Sequence, residues 1–554
     1  METLLRHIVL WSDGTPVEVA GIGVRLSPQA VPVLRRCDDP AAYRRTSPVV
    51  YLIAAQLTTI LRYVSVIDST GTDRRIEGFS FRDQAAWQEI SPPDPNELLQ
   101  YVAGPCRIAC SFCYLKGNPP ALRRIHTRIS DEEFAHRLQL FRQGIRAFPK
   151  NVLSTDEQTT SPRLFPALEA IRAVSDGPVY IETNGVALTA RLVDRLTGYR
   201  PLFVNVSVNS MNPEIRHHVM GDRTPGRVNR ALRILRDAEI PFSASIVPWH
   251  EIPLDDVEDT VRLAAQHGAG HIRLRLPGHT SHFAPEPLFD LDAVWNRIIE
   301  RVQGLRPDVR CPILVEPGKY EQLRSVGDWI TPVVLGVVEG SPASAAGVRT
   351  GDHVTSVNGV PMFWRSDGLK ALVRLLVNRQ DVLLGLQRSG KRLKCRVRYA
   401  PQDTYPFVAA DYRSPYGIFL CDDIDREAMP RLKSLLATQR AQRPLLVTSR
   451  LMERSARHLV DMFAVDREFP GLRLAVIPNA YFGGNIFMGD LIVADDVIRF
   501  LSRSQFDDGK PDLVILPGSA FNEWGRDLVG FSYRRIQHLT GVPVVLIPTR
   551  MITQ

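Results

Sequence analysis

The chain has 554 residues, which exceeds the ~250 to 300 at which a single hydrophobic core stops growing, so three or four domains are expected. Its 44% hydrophobic and 23% charged residues are typical of a globular protein and exclude a disordered one. No run approaches the ~18 apolar residues of a membrane span. Arg6 and His7 interrupt the apolar N-terminal stretch, which argues against a signal peptide. The expected location is therefore the cytoplasm.

The formal net charge of +8 is spread along the sequence and forms no single basic tract. It permits an acidic or nucleic-acid partner and requires neither; since no RNA-binding module is recognisable, a nucleic-acid partner is not expected. Four of the seven cysteines, Cys37, Cys311, Cys395 and Cys421, are solitary, which does not indicate a disulfide framework and is consistent with a reducing compartment.

Residues 1–95 predict an α+β domain of unknown role. Short strands are expected over His7–Trp11, Val17–Val24 and Tyr63–Asp68. Helices are expected after the N-cap candidate Ser27 and over Val49–Leu61. One interpretation of this segment is a structural cap on the domain that follows.

Residues 96–320 alternate strand and helix signals, which predicts a parallel sheet of β-α units. The six expected strands are Leu98–Val102, Asn151–Ser154, Val179–Glu182, Phe203–Val208, Phe242–Val247 and His271–Leu274. Six repeats fit an incomplete α/β barrel. In such barrels ligands bind at the C-terminal ends of the strands.

Three cysteines, Cys106, Cys110 and Cys113, follow the first predicted strand within eight residues. Three thiolates in one loop can hold three irons of a 4Fe-4S cluster and leave the fourth iron open for chemistry. A zinc site is the alternative, but it usually takes a fourth ligand at short range, and only His126 is near.

The spacing C-x3-C-x-aromatic-C, with Phe112 as the aromatic residue, resembles the signature of the radical S-adenosylmethionine (SAM) superfamily. The resemblance implies that SAM chelates the open iron through its amino and carboxylate groups. It implies that one electron, from a low-potential donor such as flavodoxin or ferredoxin, cleaves SAM to methionine and a 5'-deoxyadenosyl radical.

For residues 96–320 the resemblance implies an α/β fold of the partial (β/α)6, TIM-like barrel type, with SAM contacts near the strand ends. The family's Gly-Gly-Glu position is occupied here by Ser154-Thr155-Asp156-Glu157, and Glu182-Thr183-Asn184-Gly185 and Asn205 to Asn209 are family-like phrases. The residues expected to lie against SAM are Phe112, Asp156, Glu157, Glu182, Thr183, Asn184, Ser207, Asn209 and Ile246. Arg273 and Arg275 are candidates for the SAM carboxylate or an anionic substrate. The alternative for each polar group is that it satisfies backbone at a strand end.

Residues 325–400 carry the phrases Val337 to Ala343 and Ala346 to Gly359, which together resemble a PDZ domain of the bacterial protease-associated type. The resemblance implies a groove that captures a C-terminal peptide, with Trp329–Leu335 as the carboxylate loop and edge strand. A degenerate PDZ that braces its neighbours is the alternative. Residues 1–95 faintly resemble the winged-helix peptide-binding domain found beside some peptide-modifying radical SAM enzymes.

Residues 401–554 contain four apolar runs that predict buried parallel strands in a C-terminal α/β domain: Pro444–Val447, Leu472–Ile477, Leu513–Leu516 and Val542–Ile547. Two runs end in polar loops, and the first loop resembles the uncharacterised C-terminal domain that accompanies PDZ and radical SAM domains in one bacterial family. Asn479, Asn485 and Asn522 are candidate substrate ligands; packing turns are the alternative.

The sequence thus predicts a radical SAM enzyme, an oxidoreductase or transferase, that abstracts hydrogen from a small molecule or from a peptide held by the PDZ domain. A non-catalytic iron-sulfur sensor or scaffold, and an RNA-modifying radical SAM enzyme, are the alternatives.

Overall fold

The computed structural model describes fifteen stretches of the chain. These are residues 17–19, 22–26, 64–67, 73–75, 98–99, 102–117, 119, 130–142, 157–316, 332–401, 414–420, 428–506, 509–521, 527–529 and 531–547. Within these stretches no helix is both long and apolar enough to cross a membrane.

Four short strands form an antiparallel sheet near the N-terminus. They are β1 (Val17–Val19), β2 (Ile22–Leu26), β3 (Val64–Ile67) and β4 (Asp73–Arg75), paired in chain order. The strands expected over Val17–Val24 and Tyr63–Asp68 are confirmed in part. The strand over His7–Trp11 and both helices expected here lie outside the described residues.

A five-stranded parallel sheet forms the centre of the second region and confirms the predicted α/β class. Its strands lie in chain order: β5 (Val179–Thr183), β6 (Leu202–Ser207), β7 (Phe242–Ile246), β8 (His271–Arg275) and β9 (Ile313–Glu316). Its helices are α1 (Tyr114–Gly117), α2 (Asp131–Arg142), α3 (Leu164–Arg172), α4 (Ala190–Thr197), α5 (Pro213–Met220), α6 (Gly226–Asp237), α7 (Leu254–Gln266) and α8 (Leu291–Leu305). Neighbouring parallel strands in chain order are the arrangement of a partial TIM-like barrel.

The two ends of this region differ from the predicted strands. Residues 98 and 99 are helical, so the strand expected over Leu98–Val102 is wrong at its start. A short apolar run suits a buried helix as well as a buried strand, which explains the error. Asn151–Ser154 lies outside the described residues, and β9 was not foreseen.

Side chains alternate between the two faces of the sheet. Residues such as Ile181, Val204, Ala244 and Ile272 pack in the main core with the helices. The other face carries Tyr180, Glu182, Phe203, Asn205, Ser207, Ser243, Ser245, His271, Arg273, Arg275, Leu314 and Glu316. The concave side is therefore aromatic near the start of the strands and polar near their C-terminal ends.

The PDZ region contains a four-stranded antiparallel sheet and a separate strand pair. The sheet has the order β12 (Val360–Pro361), β11 (His353–Val357), β13 (Val382–Arg388), β14 (Lys391–Val397). Strand β10 (Val334–Val337) pairs instead with β15 (Ile418–Leu420), 81 residues further on, and helices α9 (Pro342–Ala345) and α10 (Arg365–Val377) complete the region.

The pairing of β10 with β15 bears on one prediction, that Trp329–Leu335 forms the carboxylate loop and the edge strand. Residues 329–331 lie outside the described residues, and on one side of β10 Val334 pairs with Leu420 and Val337 with Ile418. The peptide-binding role of this strand stays a prediction.

The C-terminal domain has a four-stranded parallel sheet, as predicted, in the order β17 (Arg473–Val476), β16 (Pro444–Thr448), β18 (Leu513–Pro517), β19 (Val544–Ile547). Its helices are α11 (Ala428–Gln439), α12 (Glu453–Met462), α13 (Val465–Glu468), α14 (Ala494–Arg503) and α15 (Arg534–Thr540). Two apolar clusters, one on each face, fill the spaces between sheet and helices.

Strand β15 also joins the PDZ region to the barrel. Ile418 and Leu420 pack in the PDZ core, whereas Phe419 packs with Leu314 of β9. The Phe419 ring lies 5.9 Å from the imidazole of His271, which stacks on Phe203 with ring centroids 5.6 Å apart. One strand thus belongs to the PDZ core and closes the floor of the barrel.

Burial at this floor makes stability depend on pH. His271 is fully buried, and burial lowers its imidazole pKa well below 6.5. The folded protein therefore keeps His271 neutral, whereas the unfolded chain takes up a proton below pH ~6.5. Stability from this group is present above pH ~6.5 and is lost as the pH falls from there toward the lower pKa of the folded state.

His271→Phe should reduce this acid sensitivity because it keeps an aromatic ring between Phe203 and Phe419 and removes the titrating group. The measurement compares thermal unfolding midpoints of both proteins at pH 7.5 and 5.5. The fall in unfolding midpoint from pH 7.5 to pH 5.5 should be smaller for the variant. An equal fall in both proteins would contradict the assignment to His271.

Candidate functional site

The cysteine loop, residues 106–113, is attached to the C-terminal end of helix α5 by backbone hydrogen bonds. The amide of Ala109 donates to the carbonyl of Met220 (2.8 Å), and that of Ser111 donates to Val219 (2.8 Å). Gly221 ends α5 with φ of 57°, and a Cβ there would lie 3.2 Å from the Cβ of Ala109. A glycine at this position permits both the left-handed turn and the close approach of the loop.

A buried ion pair holds this end of α5 in place. Arg216 and Asp222 are both buried, and the guanidinium Nε and Nη2 lie 2.9 and 2.8 Å from Asp222 Oδ2. Arg216 Nη1 also donates to the carbonyl of Ser210 (3.0 Å), at the end of the loop after β6. Because each charge is paired and hydrogen-bonded, losing one partner would leave the other uncompensated.

The other side of the loop is supported by α1 and by an aromatic cluster. Lys116 Nζ donates to the carbonyl of Cys110 (2.8 Å). Phe112 packs against Trp249 with ring centroids 5.9 Å apart. Glu251 accepts from Trp249 Nε1 (3.1 Å) and from the Ser111 hydroxyl (3.2 Å), so the loop is tied to the segment after β7. Phe112, an expected SAM contact, is thus a packing residue on one of its faces.

The three thiols differ in exposure but lie close enough to influence one another. Cys106 is exposed, whereas Cys110 and Cys113 are partly buried, and all three are free. Burial, and next the neighbouring Cys113 and Cys106, raise the pKa of the Cys110 thiol to about 12. Burial is also the main cause that raises the pKa of Cys106. Such a group becomes three thiolates most readily when it binds a cation.

The kind and number of donors in this loop are those of an iron-sulfur site. A cubane cluster takes one thiolate at each of three irons when its fourth iron is left to another ligand. Cys106, Cys110 and Cys113 are all free thiols in one loop. Within the described stretches no group of three His, Cys, Asp or Glu side chains converges on a single point.

Asn184 donates a hydrogen bond to one of these sulfurs. Its Nδ2 lies 3.4 Å from Cys106 Sγ, and its Oδ1 accepts from the amide of Val186 (2.9 Å). Because Oδ1 is engaged by a backbone donor, the NH2 group must point toward the sulfur. Asn184, expected to contact SAM, is thus placed beside a cluster ligand.

Glu157 orients Asn184 from below. Its Oε2 accepts from the backbone amide of Asn184 (2.8 Å). Its Oε1 accepts from the backbone amide (3.1 Å) and the hydroxyl (2.5 Å) of Thr159. The Thr183 hydroxyl lies 3.1 Å from that of Thr159. Glu157 and Thr183 therefore belong to one buried polar network next to the cysteine loop, while Asp156 lies outside the described residues.

Sequence reasoning did not identify Gln158. Its Nε2 donates to the carbonyl of Leu99 (2.8 Å), and its Oε1 accepts from the amide of Glu182 (2.8 Å). Gln158 thereby ties the start of the barrel to β5. A glutamine in a loop carries no motif signal, so only the structure could find it.

A polar concave surface lies below the loop. Arg273 is buried and paired with Glu316, which also lies 3.6 Å from Arg275. Arg275 remains partly exposed and is 3.7 Å from Glu182, itself 47% exposed at its side chain. The two arginines and two glutamates give this surface balanced charge.

The remaining expected SAM residues lie at the ends of β6 and β7. Asn209 has φ of 56°, and its Oδ1 accepts from the amide of Val247 (2.9 Å), so it joins the two loops. Ser207 is partly buried on the concave face. Ile246 packs its side chain in the core between sheet and helices, which leaves its backbone alone to line the concave side.

The C-terminal domain reaches the barrel through the loop after β8. The side-chain Oδ1 of Asn485 accepts from the backbone amide of His279 (2.6 Å), and the backbone amide of Asn485 donates to the carbonyl of His279 (3.0 Å). The amide and hydroxyl of Ser281 donate to the carbonyl of Phe482 (2.8 and 3.0 Å). In the same segment the Thr280 hydroxyl donates to the carbonyl of Gly117 in α1.

These contacts correct the substrate roles expected of the asparagines. Asn485 binds barrel backbone, and Asn479 stabilises its own loop, accepting from Phe482 N (3.0 Å) and donating to Leu491 O (3.0 Å). Asn522 lies outside the described residues. The alternative interpretation of packing turns therefore describes Asn479 and Asn485.

Comparisons with known proteins identify two domains. Residues 102–264 match the Radical SAM superfamily, and residues 333–388 match the PDZ domain. The chain therefore carries a radical SAM domain and a PDZ domain, which confirms both resemblances. Radical SAM proteins bind SAM and a 4Fe-4S cluster, the two cofactors expected from the sequence. The resemblance of the C-terminal domain stays a prediction.

Three crystal structures of SuiB from Streptococcus suis are similar to the chain. They show SuiB alone, bound to the precursor peptide SuiA and bound to S-adenosylmethionine, at 13, 14 and 13% identity and a TM-score of 0.31. The match covers 39% of this chain and 47 to 49% of those chains, about half their length. No curated protein matches the chain.

Proposed function

We propose that the protein is a radical SAM enzyme in which Cys106, Cys110 and Cys113 hold a 4Fe-4S cluster. The main support is that the cysteine loop contacts segments that follow three successive parallel strands: Asn184 after β5, Met220 after β6 and Glu251 after β7. Helix α1, which follows the loop, contacts Thr280 after β8 through the carbonyl of Gly117. The loop therefore lies at the end of the sheet where barrel enzymes place their chemistry.

The cluster, when bound, supplies the electron that cleaves SAM and yields the radical. The chain's own residues hold and position it. Asn184 provides a hydrogen bond to Cys106, and Lys116 fixes the backbone of Cys110. In this proposal Glu157, Glu182, Thr183, Ser207 and Asn209 border the space for SAM, and the polar concave surface below it receives the substrate segment that loses a hydrogen atom.

The domain boundaries follow the same proposal. Residues 1–95, 96–320, 325–400 and 401–554 form the N-terminal domain, the barrel, the PDZ region and the C-terminal domain, with β15 (Ile418–Leu420) completing the PDZ core from beyond its expected boundary. A peptide substrate is supported by the PDZ domain, since such domains bind extended peptides. A low-potential electron donor is required by the chemistry.

Cys110→Ala should lose most of its iron after anaerobic reconstitution and should form no 5'-deoxyadenosine above background, because two thiolates do not hold the cluster stably. Cys395→Ala, in β14 of the PDZ region, is the matched control and should keep both. Product is measured by mass spectrometry and iron by colorimetry. Equal deoxyadenosine yields in the two variants would refute the ligand assignment, whereas an intact cluster without product in the unmodified protein would favour the sensor or scaffold.

Asn184→Ala should keep the cluster and shift its midpoint potential to a more negative value. Hydrogen bonds to cluster sulfurs favour the reduced, more negatively charged state, so removing one disfavours reduction. The readout is a redox titration followed by EPR. Asn205→Ala, which removes a concave-face asparagine bonded to Ser243 (2.8 Å), is the control. Identical potentials in all three proteins would contradict a role for Asn184 at Cys106.

A further inference from the structure

The positive charge of the protein is concentrated in the PDZ region. Residues 333–400 contain eleven Lys or Arg and four Asp or Glu, a net charge of +7, against +8 for the whole chain. In the sequence these basic residues are interleaved with apolar ones and form no contiguous tract. In the folded domain the basic side chains lie on the surface.

Strand β14 carries the clearest of these surfaces. Arg392, Lys394 and Arg396 alternate with Leu393, Cys395 and Val397, so the three cations share one face and are all exposed. The alternate residues face the PDZ core. Side chains two residues apart on a strand are separated by ~6.8 Å, so the cations form an evenly spaced row.

Among the described residues, no acidic side chain lies opposite this row. The residues directly opposite on β13 are Gln387, Gly385 and Leu383, and β11, β13 and β14 contain no Asp or Glu. Between described residues none of the three cations forms an ion pair, and Asp352 pairs with Arg388 instead. Asp381 precedes β13, beyond the end of the row, and accepts from the backbone amide of Tyr399 (2.8 Å).

The row lies on a strand with one partner. Among the described strands β14 pairs only with β13 and therefore lies at the edge of its sheet. An edge strand is a template for another extended chain. A second copy of β14 would set like charges opposite one another, which destabilises pairing, so the occupant must carry the opposite charge.

We propose that the β14 edge binds an extended acidic peptide with Asp or Glu at every second position. Such a peptide adds to β14 as a further strand, and its carboxylates lie beside Arg392, Lys394 and Arg396. A single-stranded nucleic acid has charges of similar kind, but it is usually held by stacking on aromatic rings. The face of β14 and β13 carries aliphatic and polar side chains instead, which favours the peptide.

This surface differs from the groove that PDZ domains use for C-termini, and it does not depend on the radical chemistry. Peptide binding is measured on the full chain without SAM, so a failure to bind peptide does not contradict the proposed radical SAM reaction. Likewise, a failure to form deoxyadenosine does not contradict peptide binding at β14.

The test uses fluorescence anisotropy with a labelled ten-residue peptide of alternating Glu and Thr, amidated at its C-terminus to exclude carboxylate capture. The comparison ligands are a peptide of the same composition with Glu in one block and an oligothymidylate of equal charge. The triple variant Arg392→Gln, Lys394→Gln, Arg396→Gln removes the row. Lys370→Gln, Arg374→Gln, Arg379→Gln is the matched control, since it removes three exposed cations elsewhere in the same domain.

The alternating peptide should bind more tightly than the block peptide, and its Kd should rise about tenfold or more in the β14 variant. It should change less than twofold in the control variant, and added salt should weaken binding. An equal rise of the peptide Kd in both variants, or tighter binding of the oligothymidylate than of the alternating peptide, would overturn the proposal. So would absence of peptide binding to the unmodified protein, provided that circular dichroism shows it to be folded.

Discussion

The cysteine loop has almost no regular structure of its own, so its shape depends on the segments around it. The backbone amides of Ala109 and Ser111 donate to carbonyls at the end of α5, and the side chains of Lys116 and Glu251 bind the loop on either side. Parallel strands deliver these partners together because their C-terminal ends meet at one edge of the sheet. Three thiols that would otherwise move independently are thereby kept in one small volume.

The same constraint links the other domains to the site. The segment His279 to Ser281 contacts α1, which follows the cysteine loop, on one side and the C-terminal domain on the other. On the opposite side of the barrel, Phe419 of β15 meets His271. The barrel is thus held at its mouth by one domain and at its floor by another.

Much of this arrangement was predictable where the signal is local. The spacing of Cys106, Cys110 and Cys113 is a property of eight residues, and the strands β5 to β8 show strong apolar periodicity. Contacts between distant residues were not predictable. Asn184 meets Cys106 across 78 residues, and Ile418, which completes the PDZ core, pairs with Val337 across 81. The cation row was also missed, since alternation within β14 hides it until the strand's two faces are known. The substrate role predicted for Asn485 was wrong because a polar loop after a strand can pack against another domain as readily as it can bind a ligand.

The most direct test of the central claim is Mössbauer spectroscopy of protein reconstituted anaerobically with 57Fe and sulfide. The account predicts a 4Fe-4S spectrum in which one of the four irons changes when SAM is added, since three thiolates leave that iron to the cofactor. A spectrum that SAM leaves unaltered, or a protein that binds zinc in place of a cluster, would contradict it.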